Sequence, residues 1–317
     1  MKKILYVVHR YAPYPGGSEN YVRDMAEETL SRGHEVWVLA GTNQGDLNGV
    51  RVTNDIKIIE QDWDLIVVHG CDAGIQDDVL HRAREIKSPV LYMIILPSTS
   101  AAAMSGIKYS KFIGCSTAED WRHVNRLDVK DRSIEVRHGI RENGSVGKPG
   151  FREKYGITTK HMFLSCGGYW PNKGMRELAE LFMDLSIPDT TLVLTGYDNR
   201  RGLMPLETAN VKPFLIDDRD DVISAISETD LYILHSFKEG FGLVLLESML
   251  NKTPWIARNI AGAETMKEYG LVYNENHELV SGLRSFMRDG RMIDRAHNYV
   301  TTNHLIKNTV DDILRLT

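Results

Sequence analysis

The chain has 317 residues, 26% of them charged and 42% hydrophobic, with a formal net charge of −5. That balance fits a folded, soluble protein long enough for one large or two medium domains, and it excludes a disordered or fibrous chain. No basic surplus points to nucleic acid or an anionic membrane, and no run approaches the roughly 20 apolar residues of a membrane span.

Short apolar runs alternate with amphipathic stretches along the chain, the pattern of parallel sheets with helical crossovers. The first run, ILYVV, is cut by His9 and Arg10, too short for the core of a signal peptide, and reads as a strand over 4–8. Tyr21, Val22, Met25, Ala26 and Leu30 then mark one helical face, which Ser18 can cap and Gly33 can end. Further strands are expected over 34–40, 64–70, 89–95, 111–116 and 134–139, with helices over 73–86 and 117–126. The polar segment 141–151, RENGSVGKPGF, has no apolar rhythm and reads as a linker. The alternation restarts with strands over 162–168, 191–196, 211–216 and 231–236 and helices over 174–185 and 219–228. This predicts an α/β chain of two doubly wound, Rossmann-like parallel-sheet domains facing across a cleft, residues 1–145 and 146–302. Cys71, Cys115 and Cys166 are odd in number and sit in or beside strand-like runs. They read as free thiols in a reducing, cytoplasmic compartment rather than as a disulfide framework or zinc site.

Residues 235–257, HSFKEGFGLVLLESMLNKTPWIA, carry the strongest chemical signal. A strand and an apolar helix are joined by a turn in which Gly240 and Gly242 flank Phe241. Glycines there let the backbone turn tightly and approach a ligand. A helix starting at such a turn presents unpaired N–H groups and the positive end of its dipole, which suits phosphate. Glu247 stands in the middle of the apolar helix. Burying it unpaired costs several kcal/mol, so it needs a hydrogen-bonding partner. A ligand hydroxyl is one candidate and a neighbouring backbone turn another. Glu239, before Gly240, reads either as a ligand carboxylate or as an ordinary loop residue. The acidic run DDRDD (217–221) precedes a helix, where acids favour the dipole, and no metal site is read from it.

With both halves in view, the chain resembles the retaining GT-B glycosyltransferases of family 4. Glu239 and Glu247 fit that group's E-x7-E motif, and Asn251-Lys252-Thr253-Pro254 stands at its G-x-P turn, with Asn in place of Gly. PGGSE (15–19) with RGHEV (32–36) is similar to the family's opening segment, and CGGYWPNKG (166–174) to its phosphate segment. The resemblance implies transfer of a sugar, with retention and without a metal or other cofactor, from a nucleotide-diphosphate sugar to a hydroxyl acceptor. UDP-sugar is favoured on family frequency. The acceptor's class and the oligomeric state are left open, and nucleic acid is disfavoured by the charge. By the same resemblance Glu247 binds the donor ribose, Glu239 the donor sugar, and Lys173 the diphosphate, where a solvated surface lysine is the plain alternative. The Gly16–Gly17 turn adds N–H donors to the phosphates, with the groups of Gly240, Phe241 and Gly242 close to the donor. His69 hydrogen-bonds the sugar's primary hydroxyl, where a satisfied structural group at a strand end is the plain alternative, and His138 holds a weaker claim. Tyr11 and Tyr14 line the acceptor side or simply pack. The C-terminal helix, 303–317, returns to the first domain. One departure stands out: the family's arginine is missing from Gly167-Gly168-Tyr169, and Arg10 or the pair Arg200–Arg201 are the expected substitutes. The competing readings are a degenerate nucleotide-sugar binder, a transferase acting on a nucleic-acid base, and an epimerase.

Overall fold

A computed structural model describes residues 1–42, 44–70, 74–199, 202–285 and 289–317. Cys71, Arg200 and Arg201 lie outside the described residues. The chain forms two units, Met1–Ile140 with His304–Thr317 and Arg141–Asn303.

The first unit begins with β1 (Lys3–Val8), α1 (Gly17–Ser31), β2 (Glu35–Ala40), β3 (Gly45–Leu47) and β4 (Val50–Thr53). It continues with β5 (Leu65–His69), α2 (Ile75–His81), β6 (Val90–Met93), α3 (Ala101–Tyr109), β7 (Phe112–Cys115), α4 (Ala118–Arg126) and β8 (Ser133–Glu135). The sheet runs β3-β4-β2-β1-β5-β6-β7-β8 and is parallel except for the β3–β4 hairpin. Its central strands are buried throughout, as LIVVH of β5 shows, because helices need both faces of a parallel sheet. Leu5, Val7, Ile66, Val68 and Tyr92 pack with Trp63 and Val124 in one core.

Three elements differ from the sequence reading. The hairpin turns on Asn48 (φ 55°) and Gly49 (φ 83°), an Asn-Gly signal of the left-handed kind that two-residue hairpins need. Helix α3 lies on the Ala-rich stretch after Ser100, whose hydroxyl accepts the Ala103 N–H, and it has little apolar periodicity to betray it. The strand expected over 134–139 stops at Glu135, because the chain then leaves the sheet and Ile140 bridges Leu305. The C-terminal helix, Ile306–Leu314, packs against α1, with Arg32 bonded to Asp311 at 2.6 Å and Arg137 to Asp312 at 2.6 Å.

The second unit comprises α5 (Phe151–Lys154), β9 (His161–Gly167), α6 (Met175–Leu185), β10 (Thr190–Gly196), β11 (Val211–Leu215) and α7 (Arg219–Glu228). It ends with β12 (Leu231–Leu234), α8 (Leu243–Leu250), β13 (Trp255–Arg258), α9 (Ala261–Thr265), β14 (Leu271–Tyr273), α10 (Asn276–Arg284) and α11 (Gly290–Asn303). All pairs are parallel in the order β11-β10-β9-β12-β13-β14. Numbered within the unit this is 3-2-1-4-5-6, the order of a doubly wound nucleotide-binding fold. Phe163, Phe182, Leu192, Leu231 and Ile233 form its core.

Each sheet therefore has a switch point, where the chain winds outward in opposite directions and a crevice opens at the strands' C-terminal ends. It lies between β1 and β5 in the first unit and between β9 and β12 in the second.

Candidate functional site

At the second switch point the two strand-to-helix turns are locked together. After β9 a short turn, Pro171–Lys173, ends at Gly174, which is left-handed (φ 65°). A Cβ on Gly174 would sit 2.7 Å from the carbonyl oxygen of His235, so only glycine lets this turn lie against the end of β12. The Phe237 N–H donates to the Asn172 carbonyl at 2.8 Å, closing the same contact. Lys173 Nζ thereby meets Glu239 Oε1, which also accepts from the Ser236 hydroxyl at 2.9 Å.

Gly242 caps α8 in a left-handed conformation (φ 78°), whereas Gly240 has no positive φ. The freedom expected of both glycines is used by one. Phe241 is buried, its backbone seated so closely on α9 that a Cβ on Gly262 would collide with its carbonyl. Glu247, buried on α8, does have the partner its burial requires. Arg219 Nη2 donates to Glu247 Oε1 at 2.5 Å and reaches the Ser145 hydroxyl at 3.4 Å. Asn251 donates to the Ser145 carbonyl at 2.6 Å and accepts the Gly147 N–H at 2.8 Å, pinning the linker to the end of α8. The acidic run around Arg219 is accounted for: Asp218 caps α7, and Asp221 bonds Lys154 at 2.5 Å and the Tyr155 hydroxyl at 2.8 Å. Among the described residues no group of three or more His, Cys, Asp or Glu is placed to hold a metal ion.

The charges of Glu247, Lys173 and Arg219 all act on Cys166, on β9. Burial above all pushes its thiol up to about 12, so it is held as the neutral, inert thiol. Its sulfur lies 3.3 Å from the Tyr232 hydroxyl. Next to Gly168, where the resemblance expects arginine, Tyr169 is buried, and its hydroxyl lies 2.9 Å from the carbonyl oxygens of Leu194 and Phe214. Tyr169 is a core residue. No charge there replaces the arginine.

The first unit's switch point is built differently. Glu19, in the first turn of α1, is almost fully buried. It accepts from Arg10 Nε at 3.0 Å and faces His9 Nε2 at 3.4 Å. Its carboxylate occupies the space a Cβ on Gly16 would need, so the helix N-terminus at Gly16–Gly17 already carries an anion. Neither glycine has a positive φ. The Arg10 guanidinium also lies 3.8 Å over the Tyr14 ring. Tyr11, placed by sequence among possible acceptor contacts, is wholly buried and packs instead. His69 ends β5 with its ring centroid 5.3 Å from that of Tyr21, and His138 stands 5.0 Å from the same ring. Gln76 Nε2 donates to the His69 carbonyl and His304 Nδ1 faces the His138 carbonyl at 2.6 Å. Burial, reinforced by neighbouring histidines, holds both His69 and His138 down at about 3, so both are neutral at ordinary pH.

The sequence reading assigns no role to Arg219, Ser236 or Glu19. For Arg219 the signal was available: it is the one cation inside DDRDD, and that run was read for its acids.

A 3-2-1-4-5-6 sheet in one unit and a doubly wound sheet in the other are the two domains of the GT-B class of glycosyltransferase folds. Residues 148–303, nearly all of the second unit, match the family Glycosyl transferases group 1. In structure the chain is similar to sucrose-phosphate synthase from Thermosynechococcus elongatus, with a TM-score of 0.81 at 15% identity over 100% of this chain and 98% of that one. It is also similar to Anabaena HepE in complex with UDP and glucose, with a TM-score of 0.78 at 17% identity over 99% of each. An E. coli protein described as trehalose-6-phosphate bound with UDP-2-fluoro glucose gives 0.75 at 12% identity over 99% and 98%. At these identities the likeness is one of fold. A comparison with curated proteins found no match. No helix among the described residues is long and apolar enough to cross a membrane.

Proposed function

We propose that this chain transfers a sugar from a nucleotide-diphosphate sugar, UDP-sugar favoured, to a hydroxyl acceptor, with retention and without a metal ion, in a reducing, cytoplasmic compartment. The observation that carries the reading is the pair of ion pairs Lys173–Glu239 and Arg219–Glu247 at the switch point of a group 1 domain. Each joins a cation suited to phosphate or a nucleotide with a carboxylate suited to a diol. Donor binding exchanges these partners. Glu247 turns to the ribose hydroxyls and Glu239 to hydroxyls of the sugar, which leaves the Lys173 ammonium to face the diphosphate. When the anomeric carbon–oxygen bond breaks, the electron pair stays on the phosphate oxygen. A fixed positive charge there stabilises the transition state more than the ground state. The turn Gly240–Phe241–Gly242 leads into the α8 N-terminus, where backbone N–H groups suit the same charge. In the first unit, neutral His69 suits a hydrogen bond to a sugar hydroxyl. UDP is favoured because the similar structures from Anabaena and E. coli hold UDP or a UDP-sugar.

Gly168 in place of an arginine favours a second reading, a nucleotide-sugar binder without turnover. Incubation with UDP-, GDP- and ADP-sugars, with and without simple glycan and small-molecule acceptors, separates the two. Released nucleotide, with a product anomer matching the donor by NMR, is the expected result. Binding without hydrolysis or transfer across the panel selects the binder, and sugar isomers without nucleotide release select an epimerase.

A further inference from the structure

We infer that Arg219 reads the base of the donor nucleotide and selects bases with a carbonyl edge, uracil or guanine, over adenine. The inference rests on the proposed function and deepens it. Lys173 and Glu239 stand on the turns after β9 and β12, and the proposal gives them the diphosphate and the sugar. Glu247 stands eight residues beyond Glu239 on α8 and takes the ribose. The part of the donor beyond the ribose is the base. Arg219 enters from α7, which carries neither Lys173 nor Glu239, and bonds Glu247 at 2.5 Å. Its side chain is 28% exposed against 10% for Glu247, so the guanidinium is the more open of the two to an incoming nucleoside.

The position of Arg219 is fixed by its own helix end. It is the first residue of α7, and the Asp218 carboxylate accepts the Asp220 N–H at 2.8 Å, which sets the backbone that aims the arginine at Glu247. A guanidinium offers donors and no acceptor. Uracil O2 and O4, or guanine O6 and N7, accept from it. Adenine keeps ring-nitrogen acceptors but presents an amino group where the other two present a carbonyl, so a guanidinium seated on that carbonyl loses its bond. A site built to bond a polar group rejects the analogue that cannot return the bond far more strongly than it rejects a change of size. Glu247 keeps the arginine in place until the ribose takes its carboxylate.

Calorimetric titration of the full-length protein with UDP, GDP and ADP, in the wild type and in Arg219→Gln, tests this. The wild type is expected to bind UDP or GDP at least about 10-fold more tightly than ADP. Arg219→Gln should weaken that nucleotide by roughly 10- to 100-fold, the range of a hydrogen bond to a charged group, and ADP by less than about 3-fold. Equal weakening of all three would assign Arg219 to the shared ribose-diphosphate and overturn base selection, as would a wild type that prefers ADP. A wild type that binds none of them overturns the proposed function itself, a separate result. Arg219→Lys keeps the charge beside Glu247 and guards against misfolding in the first variant. It should melt like the wild type yet lose the preference, and a retained preference counts against the proposal.

Discussion

The two switch points share a topology and differ in how charge is stored. In the first unit one carboxylate, Glu19, is buried beneath Arg10 and His9, and the nearby histidines His69 and His138 are buried and neutral. In the second, two carboxylates are each matched to one cation, and all four side chains keep between 10% and 28% of their surface in solvent. Buried charge with several partners is structure: removing a partner leaves an uncompensated ion. Partly exposed pairs matched one to one leave each carboxylate a single cation to give up to a ligand. The comparison teaches that the second unit keeps its charges in such single, partly open pairs, while the first buries its carboxylate under two partners beside neutral histidines.

The largest expected effect comes from removing the exchangeable cation. Lys173→Ala should lower turnover about 10²- to 10³-fold, the range for losing one preorganised stabilising group, measured as nucleotide release at saturating donor. Turnover within a few-fold of wild type would place the leaving-group charge elsewhere. Gly174→Ala attacks the same pair through the backbone. A left-handed residue with a Cβ costs about 1–2 kcal/mol, and the contact with His235 adds about 1–3 more, so the variant should unfold at clearly lower denaturant and lose turnover together. Normal stability in urea would show that the two turns are not locked as described.

The first unit is best probed by pH. His69 and His138 are held at about 3, below the unfolded value near 6.5, so the unfolded chain binds more protons between those limits. Their contribution is fully present above about pH 6.5 and is lost on acidification towards 3, at about 1.4 kcal/mol per pH unit for each histidine. His69→Gln with His138→Gln should flatten that limb of a stability-versus-pH curve, whereas an unchanged slope would assign it to other groups. The smallest expected effect is at the linker. Asn251→Gly, which restores the residue that the resemblance expected, should cost about 1–2 kcal/mol by removing the bonds to Ser145 and Gly147. Unchanged denaturant midpoints would show that the clamp contributes nothing.

Much of the architecture was legible because buried parallel strands announce themselves as short apolar runs, and the turn at Gly242 because strand, glycine and apolar helix fall in order. What was missed had weaker local signals. Helix α3 is rich in small residues and lacks periodicity, and β13 to α11 follow the last motif with short elements such as Leu271–Tyr273. The need of Glu247 for a partner could be read from its apolar surroundings. The identity of that partner could not, since Arg219 lies 28 residues away and reaches it only through the packing of α7 on α8. Likewise the sequence marked Gly16–Gly17 as an open anion site, and only the fold shows the Glu19 carboxylate folded over it.

The central claim is that Glu247 exchanges Arg219 for a nucleotide ribose. Titrating UDP into the wild type and into Glu247→Gln side by side tests it most directly. The account predicts saturable binding to the wild type and a dissociation constant about 10- to 100-fold higher in the variant, with both proteins folded. Equal affinity for the two would contradict it.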